Sequence, residues 1–263
     1  MKLFTIFGDP VSHSRSPLMH NSVFKRYNID ACYTRTHLDD GSLLRDIFFA
    51  KALSGANVTV PHKEAAYALC DEVRGIAKHI GAVNTLILEE GQLIGYNTDA
   101  DGFIAALQSF GSLNNALIIG AGGTARALAT VLRQNSITPT ILNRSENRLG
   151  YFKENDFLSY TWETFPLTSY DVIINTTSAG LSDEELPLPS SLLTELLSGA
   201  KCAVDVIYGK TTPFLREVKK ANIPHKDGSD MLLEQGILAN HLFMGGEISL
   251  DLLRPVMHQS FFL

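Results

Sequence analysis

The chain of 263 residues has little cysteine and little charge, and both shortages exclude classes of protein. Its three cysteines, Cys32, Cys70 and Cys202, are far apart and none belongs to a C-x-x-C pair. Neither a disulfide framework nor a cysteine metal site is therefore expected. Only 19% of the residues are charged and the net charge is −6, which gives no general attraction to nucleic acid or to an anionic membrane. The expected partner is a small molecule.

The sequence also lacks any long apolar run. The amino terminus, MKLFTIFGDP, has too short an apolar stretch for a secretory signal, and no other stretch approaches the length of a membrane span. A cytoplasmic location is therefore expected. The eight histidines show no H-E-x-x-H or similar spacing, so no metal is expected either.

Short apolar runs alternate with helical patterns along almost the whole chain. This alternation is typical of an α/β protein with largely parallel sheets, and a hydrophobic content of 45% is enough for a sizeable core. The pattern predicts strands at 3–7, 32–36, 56–60, 82–88 and 93–96, with helices at 17–27 and 42–52. A second series predicts strands at 116–119, 140–143, 170–175 and 202–207, followed by helices at 231–244 and 249–262.

Two domains are predicted from this organisation. The first comprises residues 1–101 plus 236–263, because no strand remains for a further sheet after Gly228 and the last helices are expected to pack back on the first domain. The second comprises residues 102–235.

The strongest local signal is the stretch NNALIIGAGGTARALATVL, which has the order strand, glycine turn, helix. In a dinucleotide-binding fold, Gly120 would permit the tight turn, and Gly122 would let the backbone approach a pyrophosphate. The small Ala125 would allow close packing of the helix on the strand. The helix amino terminus then offers free N–H groups and a positive dipole to the phosphates. The pattern predicts a nucleotide-binding second domain.

The end of the next predicted strand, TILNRSENR, indicates which nucleotide is bound. NAD-binding folds usually carry an acidic residue there, to accept hydrogen bonds from the ribose. Asn143 takes that position here, while Arg144, Ser145 and Arg148 supply groups suited to a 2′-phosphate. NADP is therefore favoured over NAD.

In the stretch SGANVTVPHK, an apolar alternating run ends in Pro61 and then presents Lys63. Proline cannot donate to a continuing ladder, so Lys63 is expected just past a strand end. From these residues alone, two interpretations stay open: a solvated lysine that opens a helix over 62–69, or a functional group held at the edge of a sheet.

Four further stretches place polar groups where loops meet helices or strands, namely SHSRSP, GAVNTL, GYNTDADGF and DGSDMLLEQG. Ser16 before Pro17 is a typical helix cap, and Asp99 could cap the helix that follows it. Gln235 shares a helical face with apolar residues, so its amide needs a partner from the protein or from a ligand.

Taken together, the motifs resemble one family, the shikimate dehydrogenases. GDPVSHSRSPLMHN, SGANVTVPHK, GAVNTL, GYNTDADGF, GAGGTARA, NRS, INTTSAG, DVIYGKTTPFL and DG..ML..Q follow one another in the family's order from residue 8 to 235. The resemblance implies an N-terminal α/β substrate domain, a Rossmann-like NADP-binding domain and a cleft between them. It also implies reversible reduction of 3-dehydroshikimate to shikimate, a step of aromatic amino-acid biosynthesis.

The resemblance further implies residue roles. Lys63 would be the principal acid/base and Asp99 its orienting partner, with the coupled pair as an alternative assignment. The implied substrate-binding residues are Ser14, Ser16, Asn57, Thr59, Lys63, Asn84, Asp99, Tyr208 and Gln235. The implied cofactor-binding residues are Gly120, Ala121, Gly122, Gly123, Thr124, Asn143, Arg144, Ser145, Arg148, Thr176, Thr177, Ser178, Val206 and Gly228. Ser229 and Asp230 depart from an apolar residue and glycine in many members, and Gly236 departs from a common alanine.

Three rival functions share part of the pattern. A quinate/shikimate dehydrogenase would use NAD, which the missing acidic residue and Arg144 disfavour. A methylenetetrahydrofolate dehydrogenase would share the glycine turn but not SHSRSP together with NTDADGF. A non-catalytic NADP-binding sensor would have no need of Lys63 and Asp99. Both a monomer and a homodimer fit the sequence.

Overall fold

A computed structural model describes residues 1–261 and divides the chain into two compact units. The first unit comprises Met1–Gly102 and the segment that begins at Leu232, and the second unit comprises Phe103–Met231. The first predicted boundary, after residue 101, lies one residue from the observed one. The second, before residue 236, lies four residues from the observed one. Residues 262 and 263, which the sequence interpretation assigned to the last helix and the first domain, lie outside the described residues.

The first unit contains a mixed sheet of six strands in the order β2-β1-β3-β5-β6-β4. Its strands are β1 (Lys2–Gly8), β2 (Ala31–His37), β3 (Gly55–Val58), β4 (Glu72–Val73), β5 (Thr85–Glu89) and β6 (Gln92–Tyr96). β1 runs parallel to both β2 and β3, whereas β5 runs antiparallel to β3 and β6. The strand predicted at 93–96 thus forms a hairpin with its predecessor. The strand predicted at 56–60 was too long, since β3 ends at Val58 and Val60 is 61% exposed.

The helices that follow these strands are α1 (Ser16–Arg26), α2 (Leu44–Ala50), α3 (Lys63–Leu69), α4 (Ala77–Ile80) and α5 (Thr98–Leu107), with a 3₁₀ turn at Gly41–Leu43. Successive side chains of a strand point to opposite faces of the sheet. Helices pack against both faces, as the side chains of β1 show. In β1, Phe7 belongs to an apolar cluster with Leu44 and Phe48 of α2, whereas Phe4 belongs to one with Phe24 of α1.

The second unit contains a sheet of six strands in the order β12-β11-β10-β7-β8-β9, and every pairing in it is parallel. The strands are β7 (Asn115–Ile119), β8 (Thr138–Asn143), β9 (Leu158–Thr161), β10 (Val172–Asn175), β11 (Cys202–Asp205) and β12 (His225–Lys226). The helices are α6 (Gly123–Gln134), α7 (Gly150–Glu154), α8 (Ser190–Ser198) and α9 (Pro213–Lys220), and 3₁₀ turns lie at Gln108–Phe110 and Glu146–Arg148. The strand order reverses at β7, where ligands bind in open α/β sheets.

The chain continues in two long helices, α10 (Gly228–Phe243) and α11 (Leu250–Phe261). Leu233 and Ile237 of α10 and Leu253 of α11 form a buried cluster with Met19 and Val23 of α1. The predicted return of the last helices to the first domain is therefore confirmed. None of the described helices is both long enough and apolar enough to cross a membrane.

Candidate active site

The first unit pairs the lysine of SGANVTVPHK with the aspartate of GYNTDADGF. Lys63 is the first residue of α3, and its Nζ lies 2.7 Å from Oδ2 of Asp99 in the first turn of α5. The two side chains are 32% and 21% exposed, so both remain accessible to a small molecule. Lys63 opens a helix, as one of the two interpretations expected, and it is also engaged by a carboxylate. Its functional role stays a prediction.

Asp99 is free to pair because another residue caps α5. Asn97 Oδ1 accepts a hydrogen bond from the backbone N–H of Ala100 (3.2 Å), so Asn97 takes the capping position that the sequence interpretation offered to Asp99. Residues that cap a helix amino terminus direct their oxygen back to the helix N–H groups. Asp99 instead directs its carboxylate to Lys63.

Asn84 joins this pair to the centre of the sheet. Its Oδ1 accepts from the backbone N–H of Thr98 (2.7 Å), and its Nδ2 donates to Thr98 Oγ1 (3.1 Å). The backbone N–H of Val83 donates to the carbonyl of Lys63 (2.9 Å), which ties the start of α3 to the same loop. Thr98 was not among the predicted site residues, although it stands directly before Asp99 in the quoted motif.

Asn57 lies in β3 and is 5% exposed. Its Oδ1 accepts from the hydroxyl of Tyr33 (2.7 Å), and its Nδ2 donates to Thr85 Oγ1 (3.0 Å) and to the carbonyl of Asn84 (3.2 Å). The structure therefore brings Asn57, Asn84, Asp99 and Lys63 together through a chain of hydrogen bonds. Tyr33 and Thr85 were missed by sequence reasoning, because nothing local to either residue indicates which strands become neighbours.

The serines of SHSRSP lie at the start of α1. Ser16 is the first helical residue and Arg15 the capping residue, so the prediction that Ser16 caps the helix was wrong. Ser14 Oγ accepts from the backbone N–H of Ser16 (3.3 Å) and lies 3.3 Å from Ser16 Oγ. The guanidinium of Arg35, which the sequence interpretation did not use, donates to the Ser14 carbonyl from Nε (3.1 Å) and Nη2 (2.6 Å). The hydroxyls of Ser14 and Ser16 and the guanidinium of Arg35 therefore lie close together beside the amino terminus of α1.

Thr59 and Gln235 each lie close to a glycine. A Cβ on Gly8 would lie 2.3 Å from Cγ2 of Thr59, and a Cβ on Gly102 would lie 2.6 Å from the backbone N of Gln235. Gly102 is one turn beyond Asp99 in α5, so the two share a helical face, and α10 approaches that face at Gln235. Gln235 Nε2 donates to the carbonyl of Leu232 (2.8 Å), so the amide nitrogen has a partner within the protein.

Gly236 has a local reason to depart from alanine. A Cβ at this position would lie 2.5 Å from the terminal methyl of Met19, which packs in the cluster between α1, α10 and α11. The other departing residues, Ser229 and Asp230, are engaged within the second unit. Ser229 N donates to Asp227 Oδ1 (2.9 Å), and Asp230 pairs with Lys226 (3.2 Å).

The glycine turn of the second unit has the predicted order of strand, turn and helix. Gly120 follows β7 with φ +111°, a conformation that favours glycine, and a Cβ there would lie 2.6 Å from Thr176 Oγ1. Thr176 Oγ1 in turn donates to the carbonyl of Ile119 (2.8 Å). Apart from the adjacent residues and the backbone of α6, no described heavy atom would lie within 4 Å of a Cβ on Gly122 or Gly123, so the backbone at the start of α6 borders open space. Ala121 and Thr124 complete the turn.

A cavity of about 220 Å³ adjoins this turn. It is lined by five predicted cofactor residues, Gly120, Asn143, Arg144, Thr177 and Ser178, and also by residues that sequence reasoning missed, including Trp162, Ala179 and Asp183. Trp162 directly follows β9, which pairs with β8, so its place beside Asn143 depends on strand order. The cavity volume and its lining suit part of a nucleotide rather than a whole dinucleotide.

The loop after β8 presents cations to solvent. Arg144, Ser145 and Arg148 are exposed, and Asn143 Nδ2 donates to the carbonyl of Ser145 (2.9 Å), which fixes the bend. Glu146, a negative charge within the same loop, forms an ion pair with Lys153 of α7. A phosphate that binds this loop would therefore meet two arginines whose neighbouring carboxylate already has a partner.

A buried carboxylate organises the loop after β11. Asp205 accepts hydrogen bonds from Asn175 Nδ2 (3.1 Å), Ile207 N (3.1 Å) and Thr212 Oγ1 (2.6 Å), and burial raises the pKa of Asp205. The loop carries Val206 and Tyr208, the latter 44% exposed. A Cβ on Gly228 would lie 2.1 Å from the Val206 carbonyl, so glycine permits this close approach.

Comparison with known proteins gives a consistent result. A family profile described as the shikimate dehydrogenase substrate binding domain matches residues 6–86. The shikimate dehydrogenase (NADP(+)) of Helicobacter hepaticus is 47% identical over 242 residues, which cover 91% of this chain and 90% of that protein. One from Helicobacter pylori is 41% identical and covers 99% of both chains. The crystal structure of shikimate 5-dehydrogenase from Thermus thermophilus in complex with NADP(H) and shikimate has a TM-score of 0.86 at 34% identity, covering 99% of this chain and 100% of that one.

Proposed function

The chain belongs to the shikimate dehydrogenase family, and from this we propose that it catalyses the reversible, NADPH-dependent reduction of 3-dehydroshikimate to shikimate. The single observation that carries the proposal from family to chemistry is the Lys63–Asp99 pair, held at 2.7 Å beside a cluster of buried amides and hydroxyls. It disfavours a non-catalytic NADP-binding sensor, which has no use for an accessible ammonium group held by a carboxylate.

Lys63 is proposed to move the proton of the reaction. NADPH, when bound, supplies the hydride that reaches C3 of the substrate, and a proton must reach the C3 oxygen in the same event. In this proposal the ammonium of Lys63 donates that proton, and in the reverse direction its amine accepts one. Asp99 orients the ammonium through its hydrogen bond and balances its charge. Assignment of the proton transfer to the coupled pair remains the alternative.

Recognition of the substrate is proposed to use small polar groups. Ser14 and Ser16, with the amino terminus of α1, would bind the carboxylate, and Asn57, Thr59, Asn84 and Gln235 would bind the ring hydroxyls or the carboxylate. Tyr208 is proposed as a further substrate-binding residue. A site built from such directional partners rejects analogues that leave them unpaired.

NADP is proposed to bind at the carboxyl edge of the parallel sheet. The donor set fits this cofactor, because the backbone from Gly120 to Thr124 borders open space at a helix amino terminus. Two arginines follow β8 where an acidic residue would select NAD. Asn143, Arg144, Ser145 and Arg148 would hold the 2′-phosphate end, while Thr176, Thr177, Ser178, Val206 and Gly228 would border the rest of the cofactor.

The setting of the reaction is also a proposal. We propose a cytoplasmic location, which suits the three free cysteines, since reduced thiols are typical of that compartment. No nucleic-acid partner is proposed, because the net charge is −6. A monomer and a homodimer both fit the proposed reaction.

The test is an initial-rate assay at the reduced-nicotinamide absorbance band, with shikimate or quinate and with NADP⁺ or NAD⁺. Activity with shikimate and NADP⁺ only is expected. Substantial rates with quinate or NAD⁺ would move the assignment to a quinate/shikimate dehydrogenase. Absence of activity with every pair, despite binding of NADP⁺, would support the sensor instead.

A further inference from the structure

Tyr33 places a hydroxyl inside an apolar cluster, where a phenylalanine would pack as well. The residue lies in the middle of β2, is 2% exposed and belongs to a buried cluster with Phe4, Phe24 and Phe243. Burying a hydroxyl is unfavourable unless it has a partner. Its partner is Oδ1 of Asn57 at 2.7 Å.

The surrounding hydrogen bonds fix which end of the Asn57 amide faces which neighbour. The backbone carbonyl of Asn84 can only accept, so Nδ2 of Asn57 must face it (3.2 Å). Oδ1 must then face Tyr33, whose hydroxyl donates. Burial raises the pKa of Tyr33 well above its ordinary value, so this hydroxyl keeps its proton near neutral pH. Both Nδ2 hydrogens are therefore used and Oδ1 accepts from Tyr33, so the orientation of the Asn57 amide is fixed.

Tyr33 is itself held on two sides by α1. The ring of His20 stacks on the Tyr33 ring with centroids 4.3 Å apart and planes 6° apart. Asn21 donates from Nδ2 to the Tyr33 carbonyl (2.9 Å) and accepts at Oδ1 from the Tyr33 N–H (2.9 Å). His20 is fixed in turn by Asn240 of α10, whose Nδ2 lies 2.9 Å from His20 Nδ1. Both the backbone and the ring of Tyr33 are therefore fixed by residues of α1.

We propose that Tyr33 is a positioning residue for substrate binding, which acts by holding the Asn57 amide with its oxygen oriented to accept from a ring hydroxyl. The inference rests on the proposed function, because it takes Asn57 as a substrate-binding residue.

The test is Tyr33→Phe, which keeps the ring and its stacking on His20 and removes only the hydroxyl. We expect the KM for shikimate to rise by about 10-fold, because the Asn57 oxygen loses the donor that orients it. The KM for NADP⁺ should stay within twofold of the parent value. The matched control is Tyr27→Phe, which removes a tyrosine hydroxyl bond to the Leu252 carbonyl (3.0 Å) in the same unit. It should leave both KM values unchanged.

A double variant separates positioning from general destabilisation. If Tyr33 acts through Asn57, then Tyr33→Phe introduced into Asn57→Ala should raise the KM for shikimate by less than about twofold. Additive effects, or a KM within twofold of the parent in Tyr33→Phe alone, would overturn the positioning role while leaving the proposed function intact. A parent protein without activity on shikimate would overturn both.

Discussion

At the scale of single residues, the partial exposure of the Lys63–Asp99 pair argues against a large role in stability and supports the proposed role in proton transfer. Its side chains are 32% and 21% exposed, and ion pairs at such positions contribute little to the free energy of folding. The chain has several comparable pairs that lie away from the polar cluster, such as Arg45 with Asp71. What distinguishes Lys63 is its surroundings, because Asn84 and Thr98 hold the neighbouring backbone in place.

Replacement of Lys63 by alanine should therefore affect turnover far more than folding. We expect Lys63→Ala to lower kcat by at least about 100-fold, because in the proposed mechanism the C3 oxygen loses its proton donor. The affinity for NADP⁺, measured by calorimetric titration, should change little. Lys51→Ala, an exposed lysine at the end of α2, is the control and should keep the parent kcat. Near-normal turnover in Lys63→Ala would remove this residue from the chemistry.

Arg144 should set the choice between the two nicotinamide cofactors. In Arg144→Ala, we expect the KM for NADP⁺ to rise by roughly 10-fold to 100-fold, because a charge-assisted bond to the 2′-phosphate is lost. The KM for NAD⁺, which lacks that phosphate, is the internal control and should change by less than about twofold. Equal effects on both cofactors would show that Arg144 does not recognise the 2′-phosphate.

At the scale of structural elements, the turn between β7 and α6 depends on one glycine. Gly120 adopts φ +111° and leaves no room for a Cβ beside Thr176. Gly120→Ala should lower the free energy of unfolding by about 1–3 kcal/mol, since a side chain is strained in this conformation. It should also weaken NADP⁺ binding, because the backbone of the turn must shift.

The matched control is Gly150→Ala at the start of α7, where no heavy atom would lie within 4 Å of the added Cβ. Its free energy of unfolding, measured by urea titration, should stay within about 1 kcal/mol of the parent. Equal stability of Gly120→Ala and Gly150→Ala would contradict the conformational argument.

Element boundaries show where local patterns stop being informative. The glycine turn and the helix after it follow the predicted order, because turn chemistry and helical periodicity are written in adjacent residues. β4 and β12 have two residues each and were not predicted. A two-residue strand has no period to recognise, and it exists only because a neighbouring strand offers hydrogen-bonding partners.

At the scale of the whole molecule, one buried histidine should make folding sensitive to acid. Burial lowers the pKa of His20 from its ordinary value of 6.5 to about 3, with the neighbouring Asn57 side chain opposing the shift. The folded state therefore holds the neutral ring, while the unfolded chain binds a proton below pH 6.5. The contribution of His20 to the free energy of unfolding is therefore fully present above pH 6.5, and it is lost as the pH falls from 6.5 towards 3.

We expect this linkage to cost about 2 kcal/mol of unfolding free energy between pH 7 and pH 5. In His20→Gln, which does not titrate, the loss over the same interval should be smaller by about that amount. Urea titrations followed by circular dichroism at both pH values would measure it. The same pH dependence in parent and variant would mean that His20 is not the responsible group.

The sequence by itself determined what neighbouring residues can specify. The alternation of apolar runs with helical patterns predicted an α/β protein, and the glycine spacing predicted a strand, turn and helix in the order observed. The polar motifs led to the same family that the comparisons with known proteins support. Each of these signals is read from neighbouring residues along the chain, so no knowledge of strand order is needed.

Apart from the pairing of Lys63 with Asp99, which the family resemblance implied, only the tertiary structure decided which distant side chains meet. Lys63 and Asp99 are 36 positions apart, Tyr33 and Asn57 are 24 apart, and His20 and Asn240 are 220 apart. Contacts of this kind depend on which strands become neighbours, on their register and on where helices pack. Those choices result from burying the apolar surface of the whole chain at once, so no short stretch of sequence contains them.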